Sequence, residues 1–232
     1  MTASKGIRAT RSDAGQVVTT ERDIAVVEFI ADQYAVPMAL FRELLGRYGN
    51  GPIGDRAAHQ RAGRLVEAGL LRKHRLLGET WLACTPLGLK YAHREWYDRG
   101  WQPAPIMLDH MRAVSRLRLF LLDNYEGSSW ESERWIRHHW AGSGARVRIA
   151  DGALYLPDGA VVGVELELTL KHLPKYGPIV ADQDPRWKRV WWFTRVAHVA
   201  SLRRGLGEAG AGPEHEVIAL AGDLAVVIGA RA

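Results

Sequence analysis

The sequence predicts a mixed α/β (α+β) protein built from two parts. Apolar residues recur at helical spacing through the first hundred residues, where three helices precede a two-stranded hairpin. From about residue 129 onward, strand-like apolar runs alternate with helical segments, as in a sheet covered by helices. We therefore expect a disordered tail at 1–18, a first domain at 19–98, a linker with a connecting helix at 99–128, and a second domain at 129–232.

Three helices are predicted in the N-terminal part. The first starts after Thr20, whose hydroxyl suits a helix N-cap, and ends near Tyr34. Pro37 suits the first turn of the second helix, because the N–H that proline lacks has no helical partner there. The third runs from about 54 to 68 and stops at Gly69, since glycine readily ends a helix.

A hairpin follows these helices. Residues 70–74 and 80–84 predict two short strands around a turn at 77–79, and a fourth helix is predicted from 86 to about 97. Three helices and then a hairpin are the order of a winged helix-turn-helix, in which the third helix would read DNA. Because a winged helix also serves protein contacts, the fold alone does not decide the function.

Positive charge concentrates on the third helix and the hairpin. The net charge is +5, and between positions 56 and 75 six basic residues face one acidic residue, Glu67. Such a block is typical of a nucleic-acid partner, although a basic, solvated surface is the alternative. Arg56, Gln60 and Arg64 recur every four residues and predict one exposed stripe. The predicted contacts to double-stranded DNA are Arg56, His59, Gln60, Arg61, Arg64, Arg72, Lys73 and Arg75.

The connecting helix is predicted from Met107 to Asn124. It carries an apolar seam made of Met107, Met111, Val114, Leu117 and Leu121. A seam this regular predicts burial, either between the two domains or across the two-fold axis of a homodimer. A homodimer would suit a palindromic DNA site.

The C-terminal part contains an acidic hairpin. Residues 149–155 and 164–171 predict two strands joined by a turn at 157–159. Alternation places Glu165 and Glu167 on one face of the second strand, and the turn places Asp151 beside Glu165. Neighbouring carboxylates repel unless they bind a cation, take up a proton or meet basic partners, so Mg²⁺ or Mn²⁺ is the predicted cofactor. A surface hairpin with solvated acids is the alternative.

Further elements complete the predicted sheet domain. A short helix or loop is expected over 171–182, followed by a buried strand at 189–194 and a helix at 196–206. Two more strands are expected at 216–220 and 224–228.

The acidic hairpin resembles the core of the PD-(D/E)xK nuclease superfamily, in which an acid on one strand is followed by acid-x-Lys on the next. Asp151 and Glu165 match the two acids, Glu167 occupies the lysine position, and Lys171 lies four residues further on. Ala150 stands where the pattern has proline. The resemblance implies catalytic positions at Asp151, Glu165, Glu167 and Lys171, with the metal held by the three acids.

The order of the parts resembles the replication-relaxation family of actinobacterial plasmids and integrated elements, over about residues 20–195. The resemblance to the nuclease superfamily also implies a glutamate from a helix before the hairpin, for which Glu133 is the candidate, and a surface glutamate beside tryptophan is the alternative. The resemblance to the replication-relaxation family implies a sequence-specific DNA-binding protein that controls replication or transcription of a mobile element. A metal-dependent DNA endonuclease or nickase is the alternative, and a protein-interaction adaptor is a third.

The composition bounds the setting in which the protein works. There is one cysteine, Cys84, so a disulfide framework is excluded within the chain, and the N-terminal segment lacks the apolar core of a signal peptide. No apolar run approaches the roughly 18–20 residues that a membrane helix needs. These features predict a cytoplasmic, nucleoid-associated protein without a membrane partner.

Overall fold

The computed structural model describes residues 19–97, 101–140, 148–183, 186–221 and 226–227, so the predicted N-terminal tail lies outside the described residues. The N-terminal unit contains α1 (Glu21–Asp32), β1 (Ala35–Pro37), α2 (Met38–Arg47), α3 (Asp55–Glu67), β2 (Leu71–Leu76), β3 (Glu79–Cys84) and α4 (Pro86–Tyr91). β1, β3 and β2 form an antiparallel sheet in that order. The helices pack around a core that includes the fully buried Ile30, Leu44 and Leu65.

The predicted helix boundaries have local causes in this unit. α1 begins after Thr20, whose backbone N–H donates a 2.7 Å hydrogen bond to the carboxylate of Asp23. After α3, Gly69 takes a φ of 71°, which ends the helix. α4 ends at Tyr91, earlier than the predicted end near residue 97, because His93 adopts a φ of 52° and Arg94 N–H bonds back to the Leu89 carbonyl at 2.7 Å.

A larger sheet follows the connecting helix. The elements are α5 (Leu108–Asn124), β4 (Ser129–Ser132), α6 (Glu133–Trp140), β5 (Gly152–Tyr155), β6 (Val161–Glu167), α7 (Tyr176–Ala181), β7 (Arg189–Arg195), α8 (Val199–Glu208), β8 (His215–Ala221) and β9 (Val226–Val227). The strands lie in the order β4-β5-β6-β7-β8-β9. Pairing is antiparallel except for β6 with β7 and β7 with β8, which are parallel. The mixed α/β prediction is therefore confirmed.

Helices cover both faces of this sheet. Leu117 and Leu121 of α5 pack on one face, against Val164, Leu166 and Phe193. α6, α7 and α8 cover the other face. The core there includes Ile136, Tyr176, Trp192, Leu202 and Leu206. β6 thus runs between two apolar layers, and any polar side chain on it is shielded from water.

The predicted seam of α5 is buried between the two parts of the chain. Leu117 and Leu121 are 1% and 0% exposed against the large sheet, while Leu108 and Met111 pack with Trp81 of the small sheet. The first seam position, Met107, lies in the turn before α5 and remains 37% exposed. Of the two predicted possibilities, the seam is buried between the two parts of one chain.

Arginine side chains reinforce the junction. Arg134 of α6 is buried, donates a 2.7 Å hydrogen bond to the Ala31 carbonyl, and lies over the rings of Tyr34 and Tyr97, at 4.5 and 4.3 Å. Arg47 of α2 bonds Asp123 of α5, with one nitrogen–oxygen distance of 2.9 Å. The two parts of the chain therefore share both apolar and polar contacts.

None of the helices in the described part of the chain combines the length and the apolar composition needed to span a bilayer.

Candidate functional site

The predicted acids of β6 share one face but are not solvated. Val162, Val164 and Leu166 face α5, so alternation turns Glu165 and Glu167 to the opposite face. Both glutamate side chains are nearly inaccessible, at 4% and 5% exposure. The alternative of a surface hairpin with solvated acids is therefore wrong.

Asp151 lies beside Glu165, immediately before β5. Gly152 pairs with Val164, so the next register position places Asp151 opposite Glu165. One Asp151 carboxylate oxygen accepts a 2.7 Å hydrogen bond from the Leu166 N–H, and the other lies 3.0 Å from Nε2 of His110 on α5. The predicted neighbours thus come together at the end of the β5–β6 pair.

Each of the two glutamates has a basic partner. Arg148 donates two hydrogen bonds to the Glu165 carboxylate, one of 2.9 Å from Nε and one of 3.0 Å from a terminal nitrogen. Lys171 forms an ion pair with Glu167, reaching back four residues as its position in the sequence allowed. Of the ways to relieve repulsion between neighbouring carboxylates, the structure uses basic partners.

Asp151, Glu165 and Glu167 with their partners Arg148, His110 and Lys171 are called here the carboxylate cluster. Burial and the neighbouring charges shift two pKa values in it. Burial, and then the negative charge of Asp151, raise the pKa of Glu165 to about 7, despite the hydrogen bonds from Arg148. Burial alone would lower the pKa of His110, but its hydrogen bond to Asp151 and the charge of that carboxylate raise it. Protonation of Glu165 is therefore sensitive to pH near neutrality.

The side chains present do not fit a divalent cation in this arrangement. Among the described residues, no three His, Cys, Asp or Glu side chains are grouped so that they could hold a metal. Arg148 takes both oxygens of Glu165, and Lys171 takes an oxygen of Glu167, the atoms that Mg²⁺ would need. The metal site stays a prediction that requires these two cations to withdraw.

Glu133, the predicted helix glutamate, lies in the first turn of α6. It forms an ion pair with Arg137 four residues on. It also lines a small cavity of about 40 Å³ together with His110, Asp151 and Tyr34. The cavity is large enough for one or more waters and sits directly beside the carboxylate cluster.

The predicted stripe on α3 is exposed. Arg56, His59, Gln60 and Arg64 all face solvent, opposite the buried Ala58, Ala62 and Leu65. Within the described residues, Arg56 and Arg64 make no ion pair, so their charges are uncompensated. Exposure of these residues is expected both for a DNA-binding helix and for a basic, solvated surface. The stripe alone therefore does not identify a partner.

Arg61 departs from the prediction. Its guanidinium turns inward to Asp23, with Nε 2.6 Å from one carboxylate oxygen. The pair is buried, at 13% side-chain exposure for Arg61 and 0% for Asp23. We therefore remove Arg61 from the candidate DNA contacts, because an arginine committed to a buried carboxylate is not available to a phosphate or base.

The hairpin presents its basic residues on two faces. Lys73 and Arg75 are exposed on one face of β2, and Arg75 bonds the Thr80 hydroxyl at 3.3 Å. Arg72 is half-buried on the other face, next to His74, whose pKa is lowered by burial and by the charge of Arg72. Lys73 and Arg75 are thus the hairpin residues best placed for a negatively charged partner.

Two residues of the carboxylate cluster escaped sequence reasoning, Arg148 and His110. Arg148 stands three positions before Asp151, so its proximity carried a weak signal. His110 comes from α5, 41 residues earlier, and only the packing of that helix brings it to Asp151.

Comparison with protein-family models, with curated proteins and with solved structures finds no match to this chain.

Proposed function

We propose that this protein binds double-stranded DNA sequence-specifically through α3 and the β2–β3 hairpin. The observation that carries the proposal is the exposed stripe of Arg56, Gln60 and Arg64, whose two arginines make no ion pair within the described residues. Arginine and glutamine side chains hydrogen-bond base edges in the major groove, and arginine also binds phosphates. Elsewhere on the surface, arginines such as Arg42 and Arg116 are neutralised by carboxylates.

The architecture of the N-terminal unit supports the same proposal. Three helices and the sheet β1-β3-β2 have the order and connections expected of a winged helix, with α3 as the reading helix and the hairpin as the wing. Leu77 and Gly78 close the hairpin in a tight turn, both with positive φ, so Lys73 and Arg75 are held on a short, rigid strand pair.

We further propose that the C-terminal sheet domain is nuclease-like and that the chain belongs with the replication-relaxation proteins of mobile elements, acting in the cytoplasm on the nucleoid. The support is the chain order β4-β5-β6-α7-β7, with Asp151, Glu165 and Glu167 at the end of the central hairpin. In this role the protein controls replication or transcription of the element, and the ion-paired acids serve stability.

DNA cleavage is the second candidate function, and one observation favours it. Asp151 and Glu165 lie side by side at one end of β5 and β6, as the nuclease pattern requires. Bound metal would supply Lewis-acid chemistry there, and Asp151, Glu165 and Glu167 would hold it after Arg148 and Lys171 move aside. Incubating the full chain with supercoiled plasmid and Mg²⁺ or Mn²⁺ tests this: cleavage that Glu165→Ala abolishes would establish it.

A homodimer on a palindromic site remains part of the proposal, but it needs a surface other than the α5 seam. Leu117 and Leu121 are already buried within one chain. Sedimentation of the full chain with and without its DNA site would give the stoichiometry directly.

The experiment that tests DNA binding is selection of bound sequences from a random duplex library, followed by titration of the selected site. Arg64→Ala is expected to weaken binding about tenfold if Arg64 reads a base. Arg204→Ala, which removes an exposed arginine of α8, is the matched control and should change nothing. Selection of no sequence, together with no affinity for any duplex at low salt, would overturn the proposal.

A further inference from the structure

An open cleft lined by aromatic rings lies at the junction of the two parts of the chain. Its volume is about 380 Å³, and Tyr34, Trp96, Tyr97 and Trp101 line it. Tyr34 and Trp101 contact each other with ring centroids 4.8 Å apart. The cleft is distinct from the α3 stripe and from the carboxylate cluster, so what it binds is a separate question.

The base of the cleft is a fixed cation. Arg134 is buried beneath the aromatic rings, between Tyr34 and Tyr97, and is anchored by its hydrogen bond to the Ala31 carbonyl. Tyr97 is held in turn by a 3.0 Å hydrogen bond from its hydroxyl to Asp32. These contacts fix the rings before any ligand arrives, which lowers the entropy lost on binding.

The rim of the cleft is basic and exposed. Arg137 of α6 keeps 58% of its side chain exposed although it pairs with Glu133. His138 is exposed and stacks on Trp96, with ring centroids 5.5 Å apart and an interplanar angle of 25°. The rim therefore places a guanidinium and an imidazole beside an indole.

Trp96 itself is partly exposed, although His138 stacks on it and the Arg94 guanidinium lies 5.9 Å from the centroid of its ring. Its side chain is among the large exposed apolar groups of the described residues, at 39% exposure. A partly exposed indole beside two cationic or polar rim groups is suited to a flat, π-rich ligand that carries negative charge. A nucleotide has both properties, whereas an apolar peptide would bring no negative charge to Arg137 and His138.

We propose that this cleft binds an unpaired nucleotide of a DNA strand. The base stacks against the exposed indole of Trp96, and the adjoining phosphate contacts Arg137 and His138. Aromatic stacking with basic neighbours is the general way in which proteins hold single strands, and a cleft of this size matches a small-ligand pocket. The bases of an intact duplex are stacked inside the helix and cannot enter.

The test uses the full chain and a fluorescein-labelled ten-nucleotide oligothymidine in anisotropy titrations. Trp96→Ala is expected to weaken binding about tenfold or more, because stacking on an aromatic residue contributes that much per base. Trp96→Phe keeps an aromatic face and should retain most of the affinity. Arg137→Gln should reduce the slope of log affinity against log salt by about 0.7, the value for one contact to a single-strand phosphate.

Controls separate this site from the proposed duplex-reading surface. Ile106→Ala removes another exposed apolar side chain, outside the cleft, and should leave oligothymidine binding unchanged. Arg56→Ala should weaken duplex binding and not single-strand binding, so the two proposals can fail separately. Unchanged melting temperature shows that each variant is folded.

Two results would overturn the inference. One is equal oligothymidine affinity of the wild-type chain and Trp96→Ala. The other is binding of free thymidine 5′-monophosphate as tight as that of the oligonucleotide and equally dependent on Trp96, which would assign the cleft to free nucleotides.

Discussion

Arg148 holds both carboxylate oxygens of Glu165, at 2.9 and 3.0 Å, and thereby ties the segment before β5 to the centre of the large sheet. The backbone of Arg148 is fixed as well, because its N–H donates a 2.7 Å hydrogen bond to the Asp182 carbonyl. A buried charge is thus compensated by a side chain whose own main chain is anchored.

Replacing Arg148 by methionine should lower the free energy of unfolding by about 3 kcal/mol, because Glu165 would stay buried without its partner. Urea denaturation followed by circular dichroism gives the number. The double variant Arg148→Met with Glu165→Leu should recover much of the loss, since it removes both charges and retains apolar volume. A double variant as unstable as the single one would contradict an electrostatic cause.

The Glu165 carboxyl should also make stability depend on pH. Its pKa is raised from 4.5 to about 7, so the folded state binds a proton more tightly than the unfolded state. The resulting stabilisation is fully present below pH 4.5 and is lost as pH rises through about 7. Glu165→Gln cannot titrate, so the difference between its unfolding free energy and that of the wild type should change over this window. A constant difference between pH 4.5 and 8 would refute the shift.

Substitutions of Arg61 and Arg64, one turn apart on α3, should affect different properties: the first should lower stability and the second should weaken DNA binding. Arg61→Ala leaves Asp23 buried without its guanidinium and should reduce the unfolding free energy by about 3 kcal/mol. Arg64→Ala removes an exposed side chain and should change stability by less than about 0.5 kcal/mol. Thermal melts and duplex titrations of both variants, compared at a temperature where both are folded, check the assignment. Equal stability of the two would show that the Asp23 pair contributes nothing.

Arg134 should be irreplaceable by lysine at the junction. Arg134→Lys keeps a positive charge but loses the flat guanidinium that lies over Tyr34 and Tyr97. We expect both Arg134→Lys and Arg134→Ala to reduce the unfolding free energy by about 2–3 kcal/mol. Differential scanning calorimetry is the measurement, and a melting temperature restored by lysine would argue against ring contacts as the cause.

Much of the fold could be predicted because local patterns and tertiary packing agree. The apolar spacing in α1, α3 and α5, and the alternation in β6, placed inside many of the side chains that the structure buries. The sequence did not predict strands β1 and β4, for two different reasons. β1 is only three residues long, and β4 reads Ser-Trp-Glu-Ser, which carries no strand-like alternation of apolar residues.

The site was harder to predict because its partners come from distant parts of the chain. The proximity of Asp151 to Glu165 followed from hairpin geometry, and the pairing of Glu167 with Lys171 from their spacing. The inward turn of Arg61 depends on Asp23, 38 residues earlier, and helical spacing alone cannot reveal it. β5 starts at Gly152, not at Ile149. Position 152 requires glycine, because a Cβ there would lie 1.9 Å from the Trp130 ring.

The double burial of α5 decides where this chain can be divided. Leu108 and Met111 of α5 cover Trp81 and Ala83 of the small sheet, and Arg112 and Arg116 neutralise carboxylates on the N-terminal unit. A fragment ending before residue 101 would expose that apolar patch to water and would tend to self-associate. A truncation for DNA-binding experiments should therefore retain α5, which covers the small sheet beside the surface that carries α3.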